Sequence, residues 1–510
     1  MPTNSPRLDA DLIAALRHDL IAADFTVSGV GELLGPMALA ALDREQALPA
    51  QRVTVGASSP VAALVRLFTL GDPVDAQDVQ AALPTLGLAG ALELGLVQAE
   101  GDAVRAVLDV RPHAADERDF WVASDLAELA TGQPVRPDHV LGIGGASATL
   151  AAWTPRPAVR TALDVGTGCG IQALHLLGHV DEVTVTDLSE RALAYARFNA
   201  VLNEADWRVL AGSMLEPVAG EAFDLIVSNP PFVITPRSGA VPHFEYRDGG
   251  ASGDAVVADL VRSIGAHLRP GGIAQFLGNW EVPAGSTWEE RVSGWLSGTG
   301  LDAWVVQREV QDPAEYAETW ARDGGHHSGT ADFDRMYAAW LDDFASREVE
   351  SIGFGVITLH KPLGATGETQ REPVLDLVEV RHPVELPMGP TVLAGLRARV
   401  WLAEHDDDEI LDHAWVAAGE VHEERHTLPG ALDPSRILWH QGGGLRRSVP
   451  LTTVTAAYAS VCDGELTARA AAAAIAGLLG ADDEAVRAEV VAFIRDVARD
   501  GFLNLPITTP

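Results

Sequence analysis

The chain has 510 residues, too many for one hydrophobic core and enough for about three domains at roughly 150 residues each. Its 36 Lys+Arg against 72 Asp+Glu leave a formal net charge of −36, a field that repels nucleic acid at long range and reads first as a solvated surface. A nucleic-acid partner would need a local basic patch to overcome it.

No window approaches ~18 uninterrupted apolar residues, so no membrane span is expected. The first residues, MPTNSPRLDADLIAALRHDL, carry charges where a signal peptide needs an apolar stretch. Two cysteines make no disulfide framework, and neither has neighbours at metal-ligand spacing. The expectation is a cytoplasmic protein without a metal.

Residues 1–118 read as mostly helical. LIAALRHDLIAADF and PVAALVRLFTLG repeat apolar positions at helical spacing, and two further helical stretches precede short strands around Glu100-Gly101-Asp102. Helices followed by a hairpin resemble a winged helix, and the acidic composition favours a packing module over a nucleic-acid reader.

From 119 to 362 the texture changes to strands alternating with helices: TALDVG, EVTVTD, DLIVSN, GIAQFLG, DAWVVQREV and ESIGFGVITLH. This predicts an α/β domain built on a largely parallel sheet with helices on both faces. A helix-rich insertion is expected near 311–347. GATGETQREP reads as a linker, and 363–510 as an α+β domain ending in two amphipathic helices, again with a winged-helix flavour.

The segment ALDVGTGCGIQALHLL carries the chemistry. Asp164, Gly166, Gly168 and Gly170 form D-x-G-x-G-x-G where a strand passes into a helix. Glycines there let the backbone turn sharply and approach a ligand without Cβ interference. A dinucleotide fingerprint would place its last glycine at 171, where this chain has Ile171. The next strand, EVTVTD, ends in Asp187, 21 residues beyond Gly166 and followed by Leu188. An acid at that tip can accept both hydroxyls of a ribose, and it also suits a helix N-terminus. In RVLAGSMLEPV, Ser213 and the Met214 backbone are candidates to meet an adenine.

The run FDLIVSNPPFVI places Asn229-Pro230-Pro231-Phe232 directly after a strand, at the carboxyl edge where open α/β sheets bind ligands. The Asn229 side-chain oxygen and the Pro230 carbonyl can accept hydrogen bonds from an NH2 group. The prolines stiffen the loop, and Phe232 offers a face for a flat acceptor.

With these motifs in order, the chain resembles the N-P-P-[FY] amino-methyltransferases of the class I fold. That group includes the release-factor glutamine methyltransferases and the small-domain RNA guanine or adenine N-methyltransferases. The resemblance implies a Rossmann-like methyltransferase sheet, S-adenosylmethionine held by the Gly loop and Asp187, and an acceptor nitrogen oriented by Asn229. It implies a macromolecular acceptor, either a protein glutamine or an RNA or DNA base. A non-catalytic module that binds S-adenosylmethionine or nucleic acid is the alternative.

Arg247-Asp248-Gly249-Gly250 followed by Gly253-Asp254 resembles a downstream region of the glutamine enzymes. Phe232 instead matches the RNA enzymes, and a P-R-P-E-T entry segment is replaced by HVLGIGGASATLAAWTPRP. His326-His327 reads as a loop. The run His405 to Glu409 lacks calcium-loop spacing and reads as surface, and Arg436 to Ser448 reads as a hairpin with surface arginines.

Overall fold

The structure, a computed structural model, describes residues 5–505 apart from 116–117, 134, 238–240, 242, 327 and 365–370. The chain divides into two compact units. The first comprises Met1–Ala151, Ala158–Thr299 and Glu309–Ile357, and the second Ala152–Pro157, Gly300–Arg308 and Thr358–Pro510. Among the described residues no single helix is long and apolar enough to cross a membrane.

The first unit opens with helices Ala10–Ala22 and Val27–Leu42, started by the Asp9 and Thr26 side chains, which accept from backbone N–H groups of the first turn. Helices Ala76–Ala82 and Gly87–Glu93 then lead into an antiparallel hairpin, Val97–Glu100 with Ala103–Ala106. Gly101 turns it at φ 65°, a conformation that costs glycine little. The two-residue strand Val74–Asp75 pairs on the far side of Ala103–Ala106, so the helix–helix–hairpin order expected here is present. The expected boundary at residue 118 is not. Strands Asp109–Ala115 and Arg118–Ser124 form one antiparallel hairpin across it, and such a ladder cannot be cut between domains.

The largest sheet of the first unit has six strands. In chain order the elements of this region begin with β1 (Val159–Val165), α1 (Ile171–Leu176), β2 (Val180–Asp187), α2 (Glu190–Leu202), β3 (Trp207–Ala211) and β4 (Phe223–Ser228). Then come α3 (Ala255–Ser263), β5 (Leu268–Pro283), α4 (Trp288–Leu296), β6 (Asp302–Gln311), α5 (Pro313–Asp323), α6 (Ala331–Ser346), β7 (Val349–His360) and β8 (Leu375–Glu379). Within the first unit the order is β7-β5-β4-β1-β2-β3. The four contacts from β5 through to β3 are all parallel. The strand interiors are buried in continuous runs, which is why they read as β-branched and apolar segments rather than as alternating ones. The expected α/β methyltransferase-type sheet is the observed one.

Helices α5 and α6 follow β6, between residues 313 and 346. Asp312 accepts from Ala314 N and Glu315 N at 2.8 and 2.9 Å with Pro313 following it, and Thr330 accepts from Phe333 N at 3.2 Å. In the second unit β6 pairs with β8 in parallel. There the helices Ala468–Leu479 and Asp483–Arg499 pack with Trp415, Trp439, Tyr458 and Phe502 in one core, and the strand Leu503–Asn504 pairs with Val416–Ala417. Most of the expected linker lies outside the described residues.

One buried side chain ties the N-terminal hairpin to the sheet. Asn199 of α2 is fully buried. Its amide donates to Ala123 O at 2.9 Å and Cys169 O at 2.8 Å, and its Oδ1 accepts from Ala123 N at 2.8 Å. Asn199→Ala leaves these backbone groups unpaired, and denaturant unfolding is expected to show a loss of about 2–4 kcal/mol. An unchanged midpoint would mean that the three bonds carry no net stability.

Candidate active site

A cavity of about 680 Å³ opens at the carboxyl ends of β1, β2 and β4. In a parallel sheet these ends share one edge, so three loops distant in sequence converge there. The first is the glycine loop. Gly166 N and Thr167 N both donate to Thr186 O at 2.9 Å, pinning the loop to β2. Gly166 and Gly168 have φ of 69° and 57°, and a Cβ on either would meet no atom within 4 Å. The loop therefore faces open space, a cradle that a ligand can fill. Gly170 does different work: a Cβ there would lie 2.6 Å from the Trp207 ring, so this glycine permits packing and does not line the cavity.

Asp164 also stands behind the wall. It is fully buried, and its Oδ2 accepts from Thr167 Oγ1 at 2.6 Å and from Ala173 N at 3.2 Å. Expected to touch a cofactor, it instead fixes the loop and the start of α1 from beneath.

The second loop follows β2. Asp187 lines the cavity, with Oδ2 accepting from Gly168 N at 2.8 Å and Oδ1 from Ser189 N at 2.9 Å. The acid thus anchors the helix entry and also lines the cavity. Burial, reinforced by the charge of Glu245, pushes its carboxyl above the ordinary range. Leu188 lies on the same wall and is 75% exposed, an apolar surface left uncovered at the rim. Ser213 and Met214 line the wall beside it, and Thr186 Oγ1 donates to Met214 O at 3.2 Å.

The third loop is the N-P-P-F turn. Ser228 Oγ donates to Val165 O at 2.8 Å and ties the end of β4 to that of β1. Asn229 and Pro231 line the cavity. The Asn229 Oδ1 is buried and accepts no hydrogen bond within the described protein. Pro230 and Phe232 do not line the cavity. Pro230 O accepts from Phe232 N at 2.7 Å, and Phe232 packs against the cluster that holds Tyr316 and Trp340. The ring on the cavity wall is Tyr246, which the motif does not predict.

Other wall residues come from long-range folding. Val140 N donates to Asp125 at 2.8 Å, Tyr195 Oη donates to the same carboxylate at 2.8 Å, and Arg191 pairs with it. This network fixes Val140, and its neighbours His139, Leu141 and Gly142 line the cavity with it. Asp248 is nearly buried and holds Arg237, His243 and Gly250 N, so that 248–251 forms wall. Asp254 faces away and pairs with Arg291 at 2.6 Å. The wall carries five acids, Asp187, Glu216, Glu245, Asp248 and Asp259, and among its described residues no lysine or arginine.

The remaining motifs lie outside this site. His327 is not among the described residues, and among those that are, no group of three or more His, Cys, Asp and Glu is placed to hold a metal. The acidic run at 405–409 is a helix start, where Asp406 and Glu409 cap each other's backbone N–H at 2.9 Å. Arg436–Gln441 and Ser448–Leu451 form the expected hairpin, with Arg447 paired to Asp500.

Comparison with known proteins gives a family. Residues 142–294 match the model "Methyltransferase small domain", and 22–107 match "Domain of unknown function (DUF7059)". The chain is 34% identical over 200 residues to the release factor glutamine methyltransferase of Bordetella pertussis, covering 38% of this chain and 68% of that protein. It is 43% identical over 118 residues to the same enzyme of Deinococcus radiodurans, covering 22% and 42%. To the ribosomal protein uL3 glutamine methyltransferase of Bradyrhizobium diazoefficiens it is 32% identical over 172 residues, covering 32% and 51%. The chain belongs to the class I methyltransferase family that includes the release factor glutamine methyltransferases. It spans about half the length of the curated relatives it matches.

Burial raises the Asp164 carboxyl to about 7, from an ordinary value near 3.8. Between those values the folded state holds a proton that the unfolded chain releases, so the contribution of this group to stability falls as pH rises from about 4 to 7. Asp164→Asn removes that titration. Its unfolding midpoint, compared with wild type, is expected to gain more at pH 8 than at pH 5. An equal difference at both pH values would show that Asp164 does not titrate in this window.

Proposed function

We propose that the chain is an S-adenosylmethionine-dependent N-methyltransferase acting on the planar NH2 of a macromolecule, and that the acceptor is a protein glutamine amide. The observation that carries this reading is the Asn229 Oδ1, a buried acceptor without a partner on the cavity wall. A buried polar atom left unpaired costs roughly 1–3 kcal/mol, a cost that an acceptor N–H would remove on binding.

The residues present suit the cofactor. The open cradle at Gly166 and Gly168 fits the methionine part, the Asp187 carboxylate suits two ribose hydroxyls, and the exposed Leu188 with Ser213 and Met214 suits an adenine. When bound, S-adenosylmethionine supplies a methyl group on a sulfonium, open to in-line displacement by a nitrogen lone pair. The task left to the protein is positional. Asn229 Oδ1 accepts one acceptor N–H, which turns the nitrogen lone pair toward the methyl group, and fixing that direction before reaction supplies rate through orientation.

Charge separates the two acceptor classes. A phosphate-bearing nucleic acid would bring negative charge to a wall with five acids and no described lysine or arginine. A neutral amide side chain on a polypeptide meets no such penalty, and the relatives named as glutamine methyltransferases agree with that preference. A cytoplasmic setting belongs to the same reading.

The test is single-turnover transfer of labelled methyl to a purified bacterial release factor. Wild type is expected to transfer it, and Asn229→Ala to do so roughly 10²-fold more slowly, with calorimetric cofactor affinity changed by less than about twofold. A variant at the wild-type rate would remove Asn229 from the reaction.

A further inference from the structure

The insertion α5–α6 lies beyond residues 142–294, the part that the methyltransferase family model matches. It nevertheless binds the loop that carries Asn229. Both backbone polar groups of Ile234, five residues after Asn229, are held by insertion side chains. Ile234 N donates to Tyr316 Oη at 2.8 Å, and Ile234 O accepts from Trp340 Nε1 at 2.8 Å. Tyr316 Oη accepts in addition from Asn279 Nδ2 at 2.9 Å, which ties the loop to β5. Tyr316 and Trp340 are fully buried, in one cluster with Val233 and Ile234, and Phe232 packs against it.

The same insertion holds the facing wall. Tyr246, whose ring lines the cavity, donates through Oη to Asp323 at 3.0 Å. Arg247, nearly buried, pairs with Asp323 and donates to Trp320 O at 3.2 Å. Arg247 O in turn accepts from Val233 N at 2.9 Å, which joins the two walls to each other.

We infer that α5–α6 is a clamp on the acceptor half of the cavity, with Tyr316 as the positioning residue that fixes the Asn229 loop through the Ile234 amide. This rests on the N-methyltransferase reading and adds to it the element that sets the acceptor geometry. Three buried bonds at consecutive backbone groups fix the loop exit, at Val233 N, Ile234 N and Ile234 O. A small displacement there moves Asn229 relative to the cofactor cradle, and misplacement by about 1 Å can cost two orders of magnitude in rate.

The test uses the full chain with Tyr316→Phe, which deletes only the hydroxyl. Two readouts are taken: single-turnover methyl transfer to a release factor at saturating cofactor, and amide hydrogen exchange across 229–236 and 166–170. The expected result is a fall in rate of roughly 10- to 100-fold, cofactor affinity within about twofold, and faster exchange at Ile234 with the glycine loop unchanged. Val292→Ala, a fully buried core change in α4 away from the loop, is the control for plain destabilisation and should lose little rate. If Tyr316→Phe does not fold, Trp340→Phe removes the donor to Ile234 O together with part of the buried ring, and is read against Val292→Ala in the same way. Wild-type rate and wild-type exchange would overturn the clamp, as would an equal rate loss in Val292→Ala. If wild type transfers no methyl to the release factor, the proposed function has failed and the exchange result alone decides the clamp.

Discussion

The parallel pairing of β4 with β1 and of β1 with β2 is the constraint on which the rest of the molecule depends. Parallel strands release their chains at one edge, so the glycine loop, Asp187 and Asn229 arrive side by side although 63 residues separate the first from the last. The hydrogen bond from Ser228 to Val165 fastens the end of β4 to that of β1 at the point of exit. The pins from Gly166 and Thr167 to Thr186 do the same for β1 and β2. Once these ends are registered, little freedom is left in where a cofactor and an acceptor can meet.

Around that edge the protein divides its polar groups into two kinds. Most are satisfied internally: Asp164 by Thr167 and Ala173, Asp125 by Arg191, Tyr195 and Val140, Asp254 by Arg291. These are structural, and they explain how a chain so rich in carboxylates keeps a defined site. Asn229 Oδ1 is of the other kind, buried and unpaired, and such an atom is stable only where the surrounding structure over-determines it. The insertion supplies that support by binding Ile234 from both sides. Strength of packing and openness of the acceptor group are thus two aspects of one arrangement.

Much of this is legible in the residues. The apolar runs of β1 to β5 pair in parallel with both faces covered, and Gly166, Gly168, Asp187 and Asn229, singled out by local strand-end chemistry, line the cavity. What local pattern does not disclose is orientation. Gly170 and Asp164 share the glycine motif, yet they point at Trp207 and at α1. Phe232 carries an aromatic ring that the tertiary fold turns into the insertion cluster, while Tyr246 takes its place on the wall. His139 to Gly142 carries no motif; it lines the cavity beside a network in which Asp125 and Arg191, far apart in sequence, pair. The boundary at 118 failed for a related reason, since a hairpin made of DVRPHAA and RDFWVAS carries no turn signal strong enough to separate it from a domain edge.

The central claim is that the cavity presents Asn229 to a planar amide on a protein. The most direct measurement incubates the purified chain with methyl-labelled S-adenosylmethionine and cell extract, then locates the label by protease and nuclease sensitivity and by peptide mass spectrometry. The expected result is protease-sensitive label on a glutamine side chain. Label that nuclease releases, or that sits on a lysine or arginine side chain, would contradict it.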